Sequence, residues 1–131
     1  EVYGYNYGTL RAPVDQAIAA GQSILLDIDT QGAEQVRAAM PDAVTIFILP
    51  PSLETLEQRL RKRATDTPDV IERRIREAQL QLRGCGQFDY IIVNDHLQSA
   101  QDQFAAVLVA ELRRSHRCSD LVSRFSGTDK T

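Results

Sequence analysis

The sequence predicts an α/β fold in which a parallel sheet is flanked by helices. Three short apolar runs, residues 23–29, 43–49 and 88–95, are each followed by a segment with helical periodicity. The runs are continuously apolar rather than alternating, which is typical of strands covered on both faces. Because strands and helices alternate along the chain, we expect parallel strands joined by right-handed crossovers.

The predicted helices have recognisable end signals. Ahead of the first run, a short helix has Pro13 near its start and Gly21 just past its end. The helix after the first run is stopped by Pro41, and Ser52 is the expected N-cap of the helix after the second run. The apolar stripes of the two helices that follow the second and third runs are Leu53, Leu56 and Leu60, and Ala100, Phe104, Val107, Leu108 and Leu112.

An extra helix is predicted between the second and third strands. Thr67 is its expected cap and Pro68 its first residue. Its apolar stripe consists of Ile71, Ile75, Ala78 and Leu82. Helices inserted into one crossover often form a lid over a site, although packing alone explains such an insert equally well.

Composition is typical of a soluble globular protein of one domain, with 131 residues, 43% of them hydrophobic and 25% charged. The longest clear apolar run, Phe104–Ala110, is far shorter than the roughly 18 residues of a membrane helix. A net charge of −3 argues against a general nucleic-acid binder. Cys85 and Cys118 lack metal-ligand spacing, which favours reduced thiols in a cytoplasmic protein over a zinc site with His96 and His116.

Basic residues are concentrated in and around the predicted insert. A solvated helix face laced by ion pairs explains several of them, because acids lie four residues before Arg61, Arg73 and Arg76. Arg59 and Arg63 differ, since they lie four apart and have no carboxylate three or four residues away within the predicted helix. Their planar guanidinium groups suit phosphate oxygens. The pattern therefore predicts either a polyphosphate site or a solvated basic face.

Polar residues lie at the carboxyl ends of two predicted strands, where open parallel sheets bind their ligands. Asp27 and Asp29 end the first run, and Asn94 and Asp95 end the third. A carboxylate there can hold Mg²⁺ directly or through water, or it can cap the following helix. Together with the arginines, these residues favour a nucleotide–metal site.

Several short sequence motifs occur in the order in which a known protein family has them. With them the chain resembles the central and C-terminal part of guanylate kinase (GMP kinase), which transfers a phosphoryl group from ATP to GMP. The resemblance covers about residues 1–114 and implies a P-loop nucleoside monophosphate kinase-like fold, incomplete and with a helical lid insert. The motifs are YGYNYGT (3–9), ILLDIDTQGA (24–33), IFILPPS (46–52), RLRKRATD (59–66) and DYIIVND (89–95).

The resemblance also implies an organisation along the chain. Residues 1–10 would belong to the GMP-binding region, 11–58 to the core strands and helices, 59–83 to the lid and 84–114 to the C-terminal core strand and helix. The polar, Ser/Thr-rich tail 115–131 lies outside it, and we expect this tail to be disordered.

For GMP, the resemblance implies three ligands. The Tyr7 hydroxyl would donate to the GMP phosphate, and Thr9 would bond to the guanine base. Asp29 would accept from the ring and exocyclic N–H groups of guanine, a pattern of donors that adenine does not offer.

For ATP and catalysis, the resemblance implies a second set. Asp27 would support Mg²⁺, directly or through water, and the catalytic centre. Arg59, Arg63 and Arg74 would act from the lid on ATP and on the transferring phosphoryl group. Asn94 would bind near the adenine, so that Arg59, Arg63 and Asn94 form the ATP-binding set.

The chain departs from the family pattern at three places. Asn6 replaces a family tyrosine, and Ala64 replaces the glycine that follows the lid arginine. No GxxxxGK[ST] phosphate loop occurs, since neither Lys62 nor Lys130 follows a glycine. We therefore expect a fragment that lacks the N-terminal P-loop segment and is inactive alone, with self-association through the surface left open.

Two other functions remain open at this point. One is a catalytically inactive guanylate-kinase-like module that binds protein partners, although such modules usually lose nucleotide-binding residues. The other is a related kinase for a different phosphorylated acceptor, which would not explain Thr9 and Asp29.

Overall fold

The computed structural model describes residues 8, 10–62 and 67–126. The chain divides into two compact units, Glu1–Thr45 and Ile46–Thr131. The described elements are α1 (Arg11–Ala19), α2 (Thr30–Ala39), β1 (Ile46–Leu49), α3 (Leu53–Lys62), α4 (Pro68–Arg83), β2 (Tyr90–Val93), α5 (Leu97–Leu112) and α6 (Ser119–Ser126), with 3₁₀ turns at Cys85–Gln87 and Ser115–Cys118.

The first unit contains α1 and α2. Gly21 follows α1 with φ of +73°, a left-handed conformation that favours glycine, as expected for a residue just past a helix end. Val14 is the buried hydrophobic residue of α1. The helix α2 ends at Ala39, before Pro41 as predicted.

The predicted first strand, residues 23–29, is not formed. This segment precedes α2 without strand pairing to any other described residue. Leu25 is 72% exposed, whereas a strand covered on both faces would bury it. A strand needs a neighbouring ladder for its backbone N–H and C=O groups, and the described part of the chain supplies none here.

The sheet of the second unit consists of β1 and β2, which pair in parallel from Ile46↔Tyr90 to Leu49↔Val93. Both strands lie within the predicted apolar runs but are shorter than those runs. On one side α5 packs against β2. Ile92 is only 2% exposed and Ala100 of α5 is also buried, so these two residues belong to the core of this unit.

The predicted insert is a pair of helices, α3 and α4, that pack against each other. Pro68 is the first residue of α4, and Ile71 and Ile75 of its predicted stripe are buried. Thr67 occupies the N-cap position, but its side chain makes no capping hydrogen bond.

The expectation that the tail 115–131 is disordered is wrong for residues 115–126. These residues form a 3₁₀ turn and α6, while 127–131 lie outside the described residues. The Arg117 N–H donates to the Arg114 carbonyl at 2.9 Å in this turn, and the Arg117 Nε atom lies 3.9 Å from the buried carboxylate of Glu111. Polar composition alone did not reveal this ion pair.

None of the helices that the structure describes combines the length and apolar character needed to span a bilayer.

Candidate functional site

Two predicted ATP ligands meet at the carboxyl end of the second unit's sheet. Asn94 directly follows β2 and donates its backbone N–H to the Leu49 carbonyl at 2.7 Å, which extends the ladder by one residue. Arg59 of α3 donates from Nη1 to the Asn94 backbone carbonyl at 2.9 Å. Residues 35 positions apart are thereby brought together at the edge where parallel sheets bind ligands.

The direction of α3 is set where the chain leaves β1. Pro50 and Pro51 restrict the backbone there, and the Ser52 hydroxyl then accepts from the Thr55 N–H at 3.1 Å. This is the N-cap predicted from sequence. The backbone N–H of Glu54, and secondly the Ser52 side chain, lower the pKa of the Glu54 carboxyl. A negative charge in the first turn suits the positive end of the helix.

The second described arginine of the predicted site, Arg74, lies on α4. Its side chain is half-buried, its Nε atom is fully buried, and the side chain interacts within the chain. Burial around a guanidinium is uncommon on a purely solvated face. On the same helix, Nε of Arg73 lies 3.9 Å from Oε1 of Glu77, whereas the spacing had indicated Asp69 as its partner.

In the first unit, Asp29 is the N-cap of α2. Its Oδ1 atom accepts from the Gly32 N–H at 2.8 Å. Asp29 therefore caps the following helix, the alternative to ligand binding, with Oδ1 alone. No other described residue donates to Oδ2. A Cβ at Gly32 would lie 3.0 Å from Oδ1 and 3.3 Å from the Cβ of Ile28, so a larger residue there would require these neighbours to shift by a few tenths of an ångström.

Asp27 is exposed and has no hydrogen bond or ion pair with another described residue. In kinase sites Mg²⁺ is usually held by one or two carboxylates, by waters and by substrate phosphates, so one accessible carboxylate is a suitable donor set. Within residues 8, 10–62 and 67–126, no group of three or more His, Cys, Asp or Glu side chains forms a complete metal cage. Asp27 therefore fits a metal that arrives with a nucleotide better than a resident ion.

The structure describes five of the eight predicted site residues. Arg59 and Asn94 touch each other, Arg74 lies on the helix packed against that of Arg59, and Asp27 and Asp29 belong to the first unit. Tyr7, Thr9 and Arg63 lie outside the described residues.

Sequence reasoning missed two contributors. One is the backbone carbonyl of Asn94, which accepts from Arg59. Every residue has a backbone carbonyl, so the residue type at this position could not indicate the contact. The other is Gly32, which makes room for the Asp29 carboxylate. The second did have a signal, because a capping side chain accepts from the N–H of the residue two or three positions further on.

The second unit is an α/β arrangement, in which ligands bind beyond the carboxyl ends of the parallel strands, and Arg59 lies at that end. Comparison with known proteins identifies the family. The family model "Guanylate kinase" matches residues 1–111. This match covers most of the chain, which therefore belongs to the guanylate kinase family.

Individual relatives agree with this assignment. A guanylate kinase from Thermus thermophilus is 48% identical over 120 residues, which are 92% of this chain and 54% of that protein. Guanylate kinase from Aromatoleum aromaticum is 54% identical over 114 residues, 87% of this chain and 56% of that protein. The crystal structure of guanylate kinase from Anaplasma phagocytophilum matches with a TM-score of 0.78 and 31% identity, covering 95% of this chain and 61% of that one. The chain spans about half the length of the curated relatives it matches.

Proposed function

We propose that the protein to which this chain belongs is a guanylate kinase, which transfers the γ-phosphoryl group of ATP to GMP and yields ADP and GDP. The observation that carries the proposal is the contact of Arg59 with Asn94, two predicted ATP ligands from distant parts of the sequence. Membership of the family supports it.

In this proposal the acceptor is recognised by the first part of the chain. The two oxygens of Asp29 would accept from the N1–H and the exocyclic amino group of guanine, with Thr9 bonding to the base and Tyr7 to the phosphate. The helix cap on Oδ1 orients the carboxylate, and a carboxyl oxygen has a second lone pair for a ligand. Because adenine presents an acceptor at ring N1, it would leave the carboxylate unpaired.

The donor is bound by Arg59, Arg63 and Asn94, and Arg59, Arg63 and Arg74 balance charge on the transferring phosphoryl oxygens. Phosphoryl transfer depends mainly on positioning and electrostatic stabilisation, which guanidinium groups provide without chemistry of their own. When Mg²⁺ is bound with ATP, it neutralises phosphate charge, and Asp27 would hold it directly or through water. The 131 residues contain no GxxxxGK[ST] motif to hold the β- and γ-phosphates.

The test compares the 131-residue chain with the complete encoded protein, each given ATP, Mg²⁺ and either GMP or AMP. We expect the complete protein to form ADP with GMP about 100-fold or more faster than with AMP, since an unpaired carboxylate strongly disfavours the wrong base. We expect the 131-residue chain alone to show no turnover above a blank without protein.

The outcomes separate the competing functions. A complete protein that binds neither nucleotide would support the inactive protein-interaction module. Comparable rates with GMP and AMP would reject guanine recognition by Asp29. Turnover by the 131 residues alone would show that a phosphate loop is dispensable.

A further inference from the structure

Arg59, which is proposed above as an ATP ligand, also bonds to the main chain at the end of the sheet. Its Nη1 atom donates to the backbone carbonyl of Asn94 at 2.9 Å. Asn94 in turn donates its own N–H to the Leu49 carbonyl at 2.7 Å. The backbone around Asn94 is therefore held from two directions, by the end of β1 and by α3.

The helix α3 is attached to the sheet at two points along its length. At its start, it follows β1 after only Pro50, Pro51 and the cap Ser52, whose hydroxyl accepts from the Thr55 N–H. Arg59 lies about two turns further on and returns to the strand end at Asn94. The bond of Arg59 therefore restrains movement of α3 away from the sheet.

We propose that Arg59 is a positioning residue in addition to a phosphate ligand: its bond to Asn94 makes α3 part of the fixed frame of the site. The moving part of the predicted lid, residues 59–83, would then exclude Arg59 itself. The anchoring half of this inference is independent of the reaction, and the phosphate half rests on the proposed function.

The chemistry of the guanidinium group allows both roles at once. It carries five N–H donors in a rigid plane, and one of them is used on Asn94. No other described residue accepts from the remaining four. Fixing one N–H on a strand end sets the plane of the group, so less orientational entropy is lost when phosphate oxygens bind.

The anchoring half is tested by amide hydrogen exchange of α3 in the chain without nucleotide, for R59M, R59K and the control R61M. Arg61 is exposed and has no hydrogen bond with another described residue, so R61M removes the same charge from the same helix. We expect R59M to speed exchange of residues 56–62 about three- to tenfold, as for the loss of one hydrogen bond, and R61M to leave it unchanged. Equal exchange in R59M and R61M would overturn the anchor.

The phosphate half is tested with R59K in the complete encoded protein. An ammonium group can donate to the Asn94 carbonyl but cannot offer a planar fork to phosphate at the same time. We therefore expect R59K to restore slow exchange in α3 while raising KM for ATP about tenfold. If R59K keeps both slow exchange in α3 and the wild-type KM for ATP, the planar orientation of the guanidinium group has no role. If the wild-type protein transfers no phosphoryl group to GMP, the proposed function fails, while the exchange data still decide the anchor.

Discussion

At the scale of the residue, Asp29 combines a structural use with a proposed functional one. Its Oδ1 atom caps α2 through the Gly32 N–H at 2.8 Å. The same carboxylate is the proposed reader of guanine. Substitutions can separate these uses, because a cap needs one acceptor oxygen whereas guanine needs two.

We predict that Asp29→Asn preserves the helix but loses guanine recognition. Asparagine caps helices about as well as aspartate, so the free energy of unfolding should change by less than about 0.5 kcal/mol. Its amide offers one acceptor and places a donor against guanine, so kcat/KM for GMP should fall about 100-fold or more with little change in affinity for ATP. Denaturant unfolding of the chain and steady-state kinetics of the complete protein measure the two effects.

Asp29→Ala is the matched control for that substitution. It removes the cap as well and should cost about 0.5–2 kcal/mol of stability. If Asp29→Asn destabilises the chain as much as Asp29→Ala, the cap depends on the charge. Equal losses of GMP and ATP recognition in Asp29→Asn would contradict its proposed role.

At the scale of the element, Glu54 provides a carboxyl group in the first turn of α3. The pKa of Glu54 is lowered by its backbone N–H and then by Ser52, so the folded state favours the ionised carboxyl. Because the pKa of Glu54 is lowered on folding, its ionised carboxyl contributes to stability when the pH is above the pKa of the unfolded state. That contribution is lost as the pH falls through the pKa of the folded state.

We predict that Glu54→Gln destabilises the chain at pH 7 and that its difference from wild type shrinks as the pH falls below about 4.3, the ordinary value for glutamate. The side chain is exposed, so the effect should be small and should weaken further in high salt. Urea unfolding at neutral and acidic pH measures it. A difference that stays constant across this range would show that the charge of Glu54 does not act on α3.

A second element-scale feature joins β2 to α5 and to the turn that follows it. The Tyr90 hydroxyl donates to Oε1 of Glu111 at 2.6 Å, and Nη2 of Arg114 lies 3.0 Å from the same oxygen. The Glu111 side chain is only 9% exposed. The hydrogen bond with Tyr90, followed by the charge of Glu111, raises the pKa of Arg114.

We predict that Tyr90→Phe lowers the free energy of unfolding by about 1–3 kcal/mol, because a buried carboxylate loses a donor. Combining it with Glu111→Leu should cost less than the sum of the two single changes, since both polar partners are then removed together. Calorimetry or denaturant unfolding of the four proteins gives the coupling. Strict additivity would show that the hydroxyl and the carboxylate do not stabilise each other.

At the scale of the whole molecule, large apolar side chains are exposed in both units. Leu25 and Leu10 are 72% and 77% exposed in the first, and Phe125 of α6 is 90% exposed in the second. Clusters of exposed apolar side chains and unpaired extended backbone favour association. Leu25, Ile24 and Ile28 are exposed in a segment that pairs with no strand among the described residues.

We predict that the chain self-associates with increasing concentration and that Leu25→Lys weakens this association. Leu10→Lys is the control, because Leu10 is as exposed as Leu25 but lies directly before α1. Sedimentation velocity over a range of concentrations measures both. A monomer at every concentration, or the same effect from both substitutions, would contradict association through residues 23–29.

Local sequence signals determined the helix boundaries and the family. Ser52, Pro68 and Gly21 mark helix ends by their own backbone and side-chain chemistry, and the structure contains each end where it was predicted. The family motifs could also be identified from the sequence, and the family model matches residues 1–111.

Long-range pairing was decided only by the tertiary structure. Residues 23–29 and 88–95 are both predominantly apolar, yet of the two only 88–95 contains a described strand, because a ladder requires a neighbour that composition does not specify. The bonds of Arg59 to the Asn94 carbonyl and of the Tyr90 hydroxyl to Glu111 likewise join residues 35 and 21 positions apart. Residue types carry the chemistry of a site, but the distances that make it a site arise when separate elements pack together.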